Sequence, residues 1–292
     1  MTSPLSFAAG DLTVHRIVEM TGPTLGIQQM LPELTDAMLA EHRAWLAPDS
    51  LDADDRAIMN FQCYVVRTPH HNILIDSCIG NDKTLPPHMA DWHQRQGREY
   101  ETALEAAGLR FEDIDYVFCT HLHADHVGWN TRLVEGKWAP TFPKARYVFS
   151  ADEVQFWEAQ YAQTGAHVFT ESVLPVLEAG RADLVADDAV IGDHVRLLPT
   201  PGHTPHHVAV LLGKGRDEAA FAGDVLHSPL QFRYPDLASA IDRDNPAAAS
   251  VSRRAFLERF AETGTVCCFA HTPAPSAGFV RWLGTGFTCV GV

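Results

Sequence analysis

The chain lacks several features that would have decided its class at once. It has no CxxC pair among its six cysteines, so zinc-ribbon and thioredoxin-like readings fall away. No apolar run approaches the roughly 18 residues of a membrane span, and none is expected. The opening residues lack a charged leader followed by an apolar stretch, so no signal peptide is expected. Positive charge is scarce: 22 Lys+Arg stand against 37 Asp+Glu, a net charge of −15. Such a surface repels phosphate backbones and argues against a nucleic-acid partner. No linker or low-complexity tract divides the 292 residues. What remains is ordinary globular composition, 46% hydrophobic and 20% charged. The cysteines lie mostly in apolar runs and read as buried free thiols in a reducing, cytoplasmic setting.

Histidine is the abundant exception, at 16 residues. The hydrophobic pattern places several of them at strand ends. Leu12 to Val18, Phe61 to Val66, Asn72 to Asp76 and Asp115 to Cys119 read as strands, as do Ala145 to Phe149, His194 to Leu198, His207 to Leu212, Ala219 to Ala222 and Thr265 to Ala270. Helices are expected over 35–46, 97–108, 246–262 and from Ser150 to about Gln163, the last opened by the capping box Ser150-Ala-Asp-Glu153. Strands, a helix, a strand and then metal-type residues occur once in each half. One compact α/β unit over 1–292 is expected. Residues 19–58 form an insertion that either lids the site or makes a homodimer interface; the sequence leaves both open.

The strongest motif is His121-Leu-His-Ala-Asp-His126, directly after a buried strand. Alternation puts His121 and His123 on one side of the chain, and Asp125 and His126 follow a turn. A pair of divalent ions about 3.5–4 Å apart needs such a split ligand set. Imidazole and carboxylate suit zinc, with manganese, cobalt or iron also acceptable. His203 in Pro201-Gly-His-Thr-Pro205, Asp224 in Ala222-Gly-Asp224 and His271 in Ala270-His271-Thr-Pro273 are weak signals alone. Polar ligands following apolar strands are what sites in α/β sheets look like.

In that order these residues resemble the metallo-β-lactamase superfamily. The resemblance implies a four-layer αβ/βα sandwich and two bound metal ions. It implies that His121, His123 and His203 hold the first ion, that Asp125, His126 and His271 hold the second, and that Asp224 bridges them. Asp76 matches the family's structural aspartate. A bridging aspartate argues against penicillin hydrolysis, and His123 argues against the flavin-linked diiron members, which carry Glu there. Lactonases, phosphotriesterases resembling methyl-parathion hydrolase, and thioesterases resembling glyoxalase II remain. The lactonases this chain resembles usually carry Tyr three residues after the bridging Asp; here it is His227, and Gly223-Asp-x-x-His227 is more like the phosphotriesterase-related branch.

The expected activity is metal-dependent hydrolysis, with a metal-bridged hydroxide attacking a small-molecule ester-type bond. A lactone is the first expectation, an organophosphate or aryl ester the next. Two cations bring a bound water's pKa toward neutrality and stabilise the developing oxyanion. Asp125, which would also orient the nucleophile or shuttle a proton, and His227, an outer acid, are the candidate catalytic residues. Two rivals are a mononuclear-iron oxidoreductase resembling the persulfide dioxygenases, using His121, His203 and Asp224, and a non-catalytic scaffold. Trp129, Phe232 and Tyr234 are candidates for an apolar pocket wall, with core packing the alternative. His206 and His207 are read as loop support and strand start; His70, His71, His88 and His93 as surface.

Overall fold

The computed structural model describes residues 5–292. The chain divides into two compact units: Leu5–Glu19 with Phe61–Ala189, and Met20–Asn60 with Val190–Val292. The rough pattern duplication in the sequence corresponds to two seven-stranded sheets.

The first sheet runs, edge to edge, Ser6–Ala9, Leu12–Gly26, Arg56–Arg67, Asn72–Ile75, Tyr116–Phe118, Arg146–Ser150 and Ala182–Val185. Asn72–Ile75, Tyr116–Phe118 and Arg146–Ser150 pair in parallel. Their C-terminal ends therefore lie side by side and deliver Asp76, Thr120-His121 and Ser150 to one edge. Helices Glu99–Ala106 and Ala151–Thr164 cover this sheet, with Tyr100, Leu104 and Val154 joining Val65, Leu74, Val117, Tyr147 and Phe149 in one apolar cluster. Ser150 is the expected N-cap, its Oγ accepting from Glu153 N at 3.1 Å. The Glu153 carboxylate is spent elsewhere, accepting from Leu122 N at 3.2 Å and Trp157 Nε1 at 2.7 Å.

The second sheet runs Val190–Ile191, Val195–Pro199, Val208–Leu212, Ala219–Phe221, Val266–Cys268, Ala277–Leu283 and Gly286–Gly291. Ala219–Phe221 and Val266–Cys268 are its parallel pair, and the segments that leave them carry Asp224 and His271. Helix Pro246–Phe260 packs Phe256, Leu257 and Phe260 against Ala220, Cys267 and Val280.

Two expectations about extents are corrected. The strand opening at Leu12 continues through Gly22-Pro23 to Gly26, and its partner starts at Arg56 rather than Phe61. Side-chain bonds join the two strands there: Arg56 Nε donates to Thr24 O at 3.2 Å and Thr24 Oγ1 to Ala57 O at 3.0 Å. The segment 19–58 thus begins and ends as strand, with helix Asp36–Leu46, capped by Thr35, between. The short hairpin Thr131–Val134/Lys137–Pro140 and the closing hairpin Ala277–Leu283/Gly286–Gly291 were not foreseen.

No helix among the described residues is long and apolar enough to cross a membrane. All six cysteines are free, and only Cys289 is not buried.

Candidate metal centre

In the first unit the motif loop is built on Asp76. Its Oδ1 accepts from Thr120 N at 2.8 Å, and its Oδ2 takes Thr120 Oγ1 and His126 Nδ1, each at 2.9 Å. Asp76 itself sits at φ 60°, a left-handed conformation that Asp tolerates better than most side chains. Gly128 closes the loop from the other side: its N–H reaches Cys78 O at 2.8 Å, and a Cβ there would lie 1.8 Å from Ile79 O.

These contacts assign the ring nitrogens. The single Thr120 hydroxyl proton goes to Asp76, so Thr120 Oγ1 accepts from His121 Nδ1–H at 3.1 Å, leaving a lone pair on His121 Nε2. That lone pair faces His123 Nδ1 at 3.0 Å. Two ligands of one tetrahedral zinc, each 2.0–2.1 Å away, lie about 3.3 Å apart, so this edge suits a cation. His123 also packs edge-on against Trp157, ring centroids 5.3 Å apart, and Trp157 is held by Glu153. His126, 1% exposed, commits Nδ1 to Asp76, and Asp125 Oδ2 lies 3.9 Å from its Nε2.

In the second unit three imidazoles converge on Asp224, which is 3% exposed. His203 Nε2 is 3.1 Å from Asp224 Oδ2, His271 Nε2 2.9 Å from Oδ1, and His227 Nε2 3.2 Å from Oδ2. The remote nitrogens separate them. His203 Nδ1 meets Asp242 Oδ1 at 2.9 Å, and His271 Nδ1 meets Asn60 O at 2.8 Å. With those protons committed, a neutral ring would turn the lone pair of its Nε2 toward a carboxylate oxygen. Such a contact repels unless a proton or metal ion lies between. His227 Nδ1 has no hydrogen-bond partner and faces Asp242 Oδ1 at 3.9 Å. A neutral His227 can therefore donate Nε2–H directly to Asp224.

The electrostatics agree. Burial pulls the pKa of His203 down, but Asp224 and Asp242 on either side outweigh it and raise it to about 9. A proton is strongly held where a divalent ion would replace it. For His227 burial prevails over Asp224, and its pKa is lowered.

His203 is placed by its loop. Gly202, at φ +135°, packs so tightly under the first turn of helix Pro246–Phe260 that a Cβ would lie 2.0 Å from Ala249 N. Ser252 Oγ donates to Pro201 O at 2.6 Å. Asp224 is oriented by its backbone, whose N–H donates to His207 Nε2 at 3.0 Å, while His207 Nδ1 meets Thr200 Oγ1 at 2.8 Å.

The structure thus gathers His121, His123, Asp125 and His126 in one unit, and His203, Asp224, His227 and His271 in the other. Trp129 is a core residue, stacked on Tyr100 at 4.9 Å with its Nε1 on Glu19. Phe232 packs edge-on against Phe269 in the second core. Tyr234 stays half-buried, its hydroxyl 2.7 Å from His42 Nε2. His70, His71, His88 and His93 are exposed, as expected. Sequence reasoning missed His207 as a backbone support, Asp242, and the wholly buried Arg253 that holds Asp242. No local spacing signals them: Asp242 reads as one more acidic residue before a helix.

The sequence profile of the metallo-beta-lactamase superfamily matches residues 62–271. The chain belongs to that superfamily. Its fold class is the expected metallo-β-lactamase one: the dizinc quorum-quenching lactonase AidC superposes with a TM-score of 0.78 at 21% identity, covering 98% of this chain and 96% of its own. The hydrolase AbOPH of the same superfamily superposes at 0.79 with 23% identity over 100% and 98%. At these identities the likeness shows the fold alone. In sequence, an N-acyl homoserine lactonase of Bacillus cereus is 27% identical over 161 residues, 51% of this chain and 57% of the relative. A hydroxyacylglutathione hydrolase of Acidiphilium cryptum is 33% identical over 126 residues, 43% of this chain and 40% of the relative. The chain thus spans about half the length of the curated relatives it matches.

Proposed function

We propose that this superfamily member is a di-metal hydrolase of small-molecule ester-type bonds, with lactones as the first substrate class and organophosphates or aryl esters as the second. The observation that carries the reading is the approach of His203 Nε2 and His271 Nε2 to the Asp224 carboxylate, at 3.1 and 2.9 Å, with both Nδ1 atoms already bonded elsewhere. A cation satisfies that geometry; apolar packing does not.

In this proposal His121, His123 and His203 hold one ion, Asp125, His126 and His271 the other, and Asp224 both. Zinc is the proposed metal. Bound there, the ions would supply an acidified water and a Lewis acid for a carbonyl or phosphoryl oxygen. The residues do the rest. Asp125 orients the attacking water and accepts its proton at a carboxylate oxygen. His227 stays neutral near pH 7, because burial disfavours its charged form, and its Nε2–H is the proton donor beside the site. Residues 19–58 line the site in this reading. Two contacts support that role: His42 with Tyr234, and Ala240 N donating to Met30 O at 2.8 Å, both on the segment that follows Asp224. The lactonase relatives favour lactones, whereas His227 after Asp224 favours the organophosphate branch. The free thiols fit the proposed cytoplasmic setting.

The test is metal content of protein purified without added metal, run with a panel of lactone, aryl ester and phosphotriester substrates. About two zinc, manganese or cobalt ions per chain with turnover are expected. Asp224→Ala should lose metal and activity together, with kcat/KM falling at least about 100-fold. Retained turnover in that variant, or a single iron without hydrolysis, would sink the reading.

A further inference from the structure

His203 differs from His271 in what braces it. A backbone carbonyl holds His271, whereas His203 rests on a buried ion pair. Asp242 Oδ1 takes His203 Nδ1 at 2.9 Å, and Asp242 Oδ2 takes Arg253 Nη2 at 2.9 Å. Both members of the pair are 0% exposed. Three further contacts of Arg253 reach backbone carbonyls, Nε to Val225 at 2.8 Å and Nη1 to Pro235 at 3.0 Å and Leu237 at 2.8 Å, and Nη1 also lies 3.5 Å from Ser250 Oγ. The planar guanidinium thus spans the segment that carries His227 and fixes Asp242 in one orientation, a geometry that a lysine ammonium does not reproduce. Burying an ion pair costs several kcal/mol in desolvation for each ion. A pair placed under His203, with every contact directed, serves to orient that ring.

We propose that Asp242, locked by Arg253, is the positioning residue that fixes the tautomer of His203 and presents its Nε2 to one metal ion and not the other. This rests on the di-metal reading above. The first unit holds a counterpart: Asp76 Oδ2 braces His126 Nδ1 at 2.9 Å. There the carboxylate is steadied by Thr120 through neutral donors at 2.8 and 2.9 Å. In this proposal each ion would have its own aspartate-braced histidine, His203 through Asp242 and His126 through Asp76. Asp242 contacts His203 and faces His227; His271 is braced by Asn60 instead.

Competition of the zinc-loaded, full-length protein with a chromogenic chelator resolves two dissociation constants. Asp242→Asn is expected to weaken one of them about 10- to 100-fold and to leave the other unchanged. Asp242→Glu, which keeps the carboxylate, should recover part of the loss. Arg253→Lys should weaken the same ion as Asp242→Asn. Asp76→Asn should weaken the opposite one. Equal weakening of both ions by Asp242→Asn, or of neither, overturns the proposal. A wild type that takes up no metal instead sinks the di-metal reading itself. The wild-type zinc protein gives a measurement independent of variant folding: a slowly exchanging imidazole proton on Nδ1 of His203 is expected in proton–nitrogen spectra. Its absence would overturn the proposal even if no variant folded.

Discussion

Lys83 shows how much a single residue can carry outside the site. It is 2% exposed, with Nζ donating to Thr131 Oγ1 at 2.7 Å and lying 3.7 Å over the Trp138 ring. Burial lowers its pKa from 10.5 to about 7, against the opposing pull of Glu171 and Asp82. Between those values the unfolded chain binds the proton and the folded one does not. This group's contribution to stability therefore rises with pH from about 7 to about 10.5 and is least favourable below 7. Lys83→Met should flatten that rise and melt no lower than wild type at pH 7, since replacing a buried charge by an apolar side chain is often neutral or stabilising. Denaturant titrations at several pH values would check it; an unchanged slope would count against the assignment. At the same scale, His227 and His203 both adjoin Asp224, yet their remote nitrogens give them different work. Residue type alone does not separate them.

The elements hold the site by close backbone approach as much as by side chains. The loop Pro201-Gly202-His203 is clamped under helix Pro246–Phe260, and Gly202 combines φ +135° with a Cβ position 2.0 Å from Ala249 N. Gly202→Ala should cost at least about 1 kcal/mol from the backbone conformation alone. The helix start or the loop must also shift, so the metal affinity proposed for His203 should fall with the melting temperature. Calorimetry beside a chelator titration would show both; an unmoved melting temperature would mean the loop has slack the structure does not display. The elements legible in the sequence were those with a strong period and a cap, such as Ala151–Thr164 with Ser150. The Ala277–Leu283/Gly286–Gly291 hairpin was not, because Trp282, Leu283 and Val290 stay about half exposed and blur its alternation. The strand from Leu12 runs through Gly22-Pro23, where Arg56 Nε donates to Thr24 O and Thr24 Oγ1 to Ala57 O.

At the scale of the whole molecule, a net charge of −15 sets which substrates approach easily. Long-range repulsion is screened beyond a Debye length of about 10 Å at 0.1 M salt. Under the proposed hydrolase function, the kcat/KM of an anionic aryl ester should therefore rise as ionic strength goes from about 10 to about 100 mM, whereas that of a neutral lactone should stay flat. Stopped-flow assays on the two substrates would decide; parallel salt curves would mean that the field at the site does not follow the net charge. The sequence by itself determined the superfamily and picked out seven residues of metal-ligand type, because metal ligation demands particular residue types at the ends of particular strands. That demand is local enough to survive as a linear pattern in His121 to His126. The tertiary structure decided which groups meet the ring nitrogens of His121, His126, His203 and His271, that Asp242 and Arg253 brace His203, that His207 supports Asp224, and that Trp129 and Phe232 belong to the cores. Those outcomes depend on contacts between residues distant in the chain, such as Asn60 with His271 and Thr200 with Asp224 through His207. Hydrogen-bond partners are set by where the backbone brings groups together, and no spacing in the sequence records that distance.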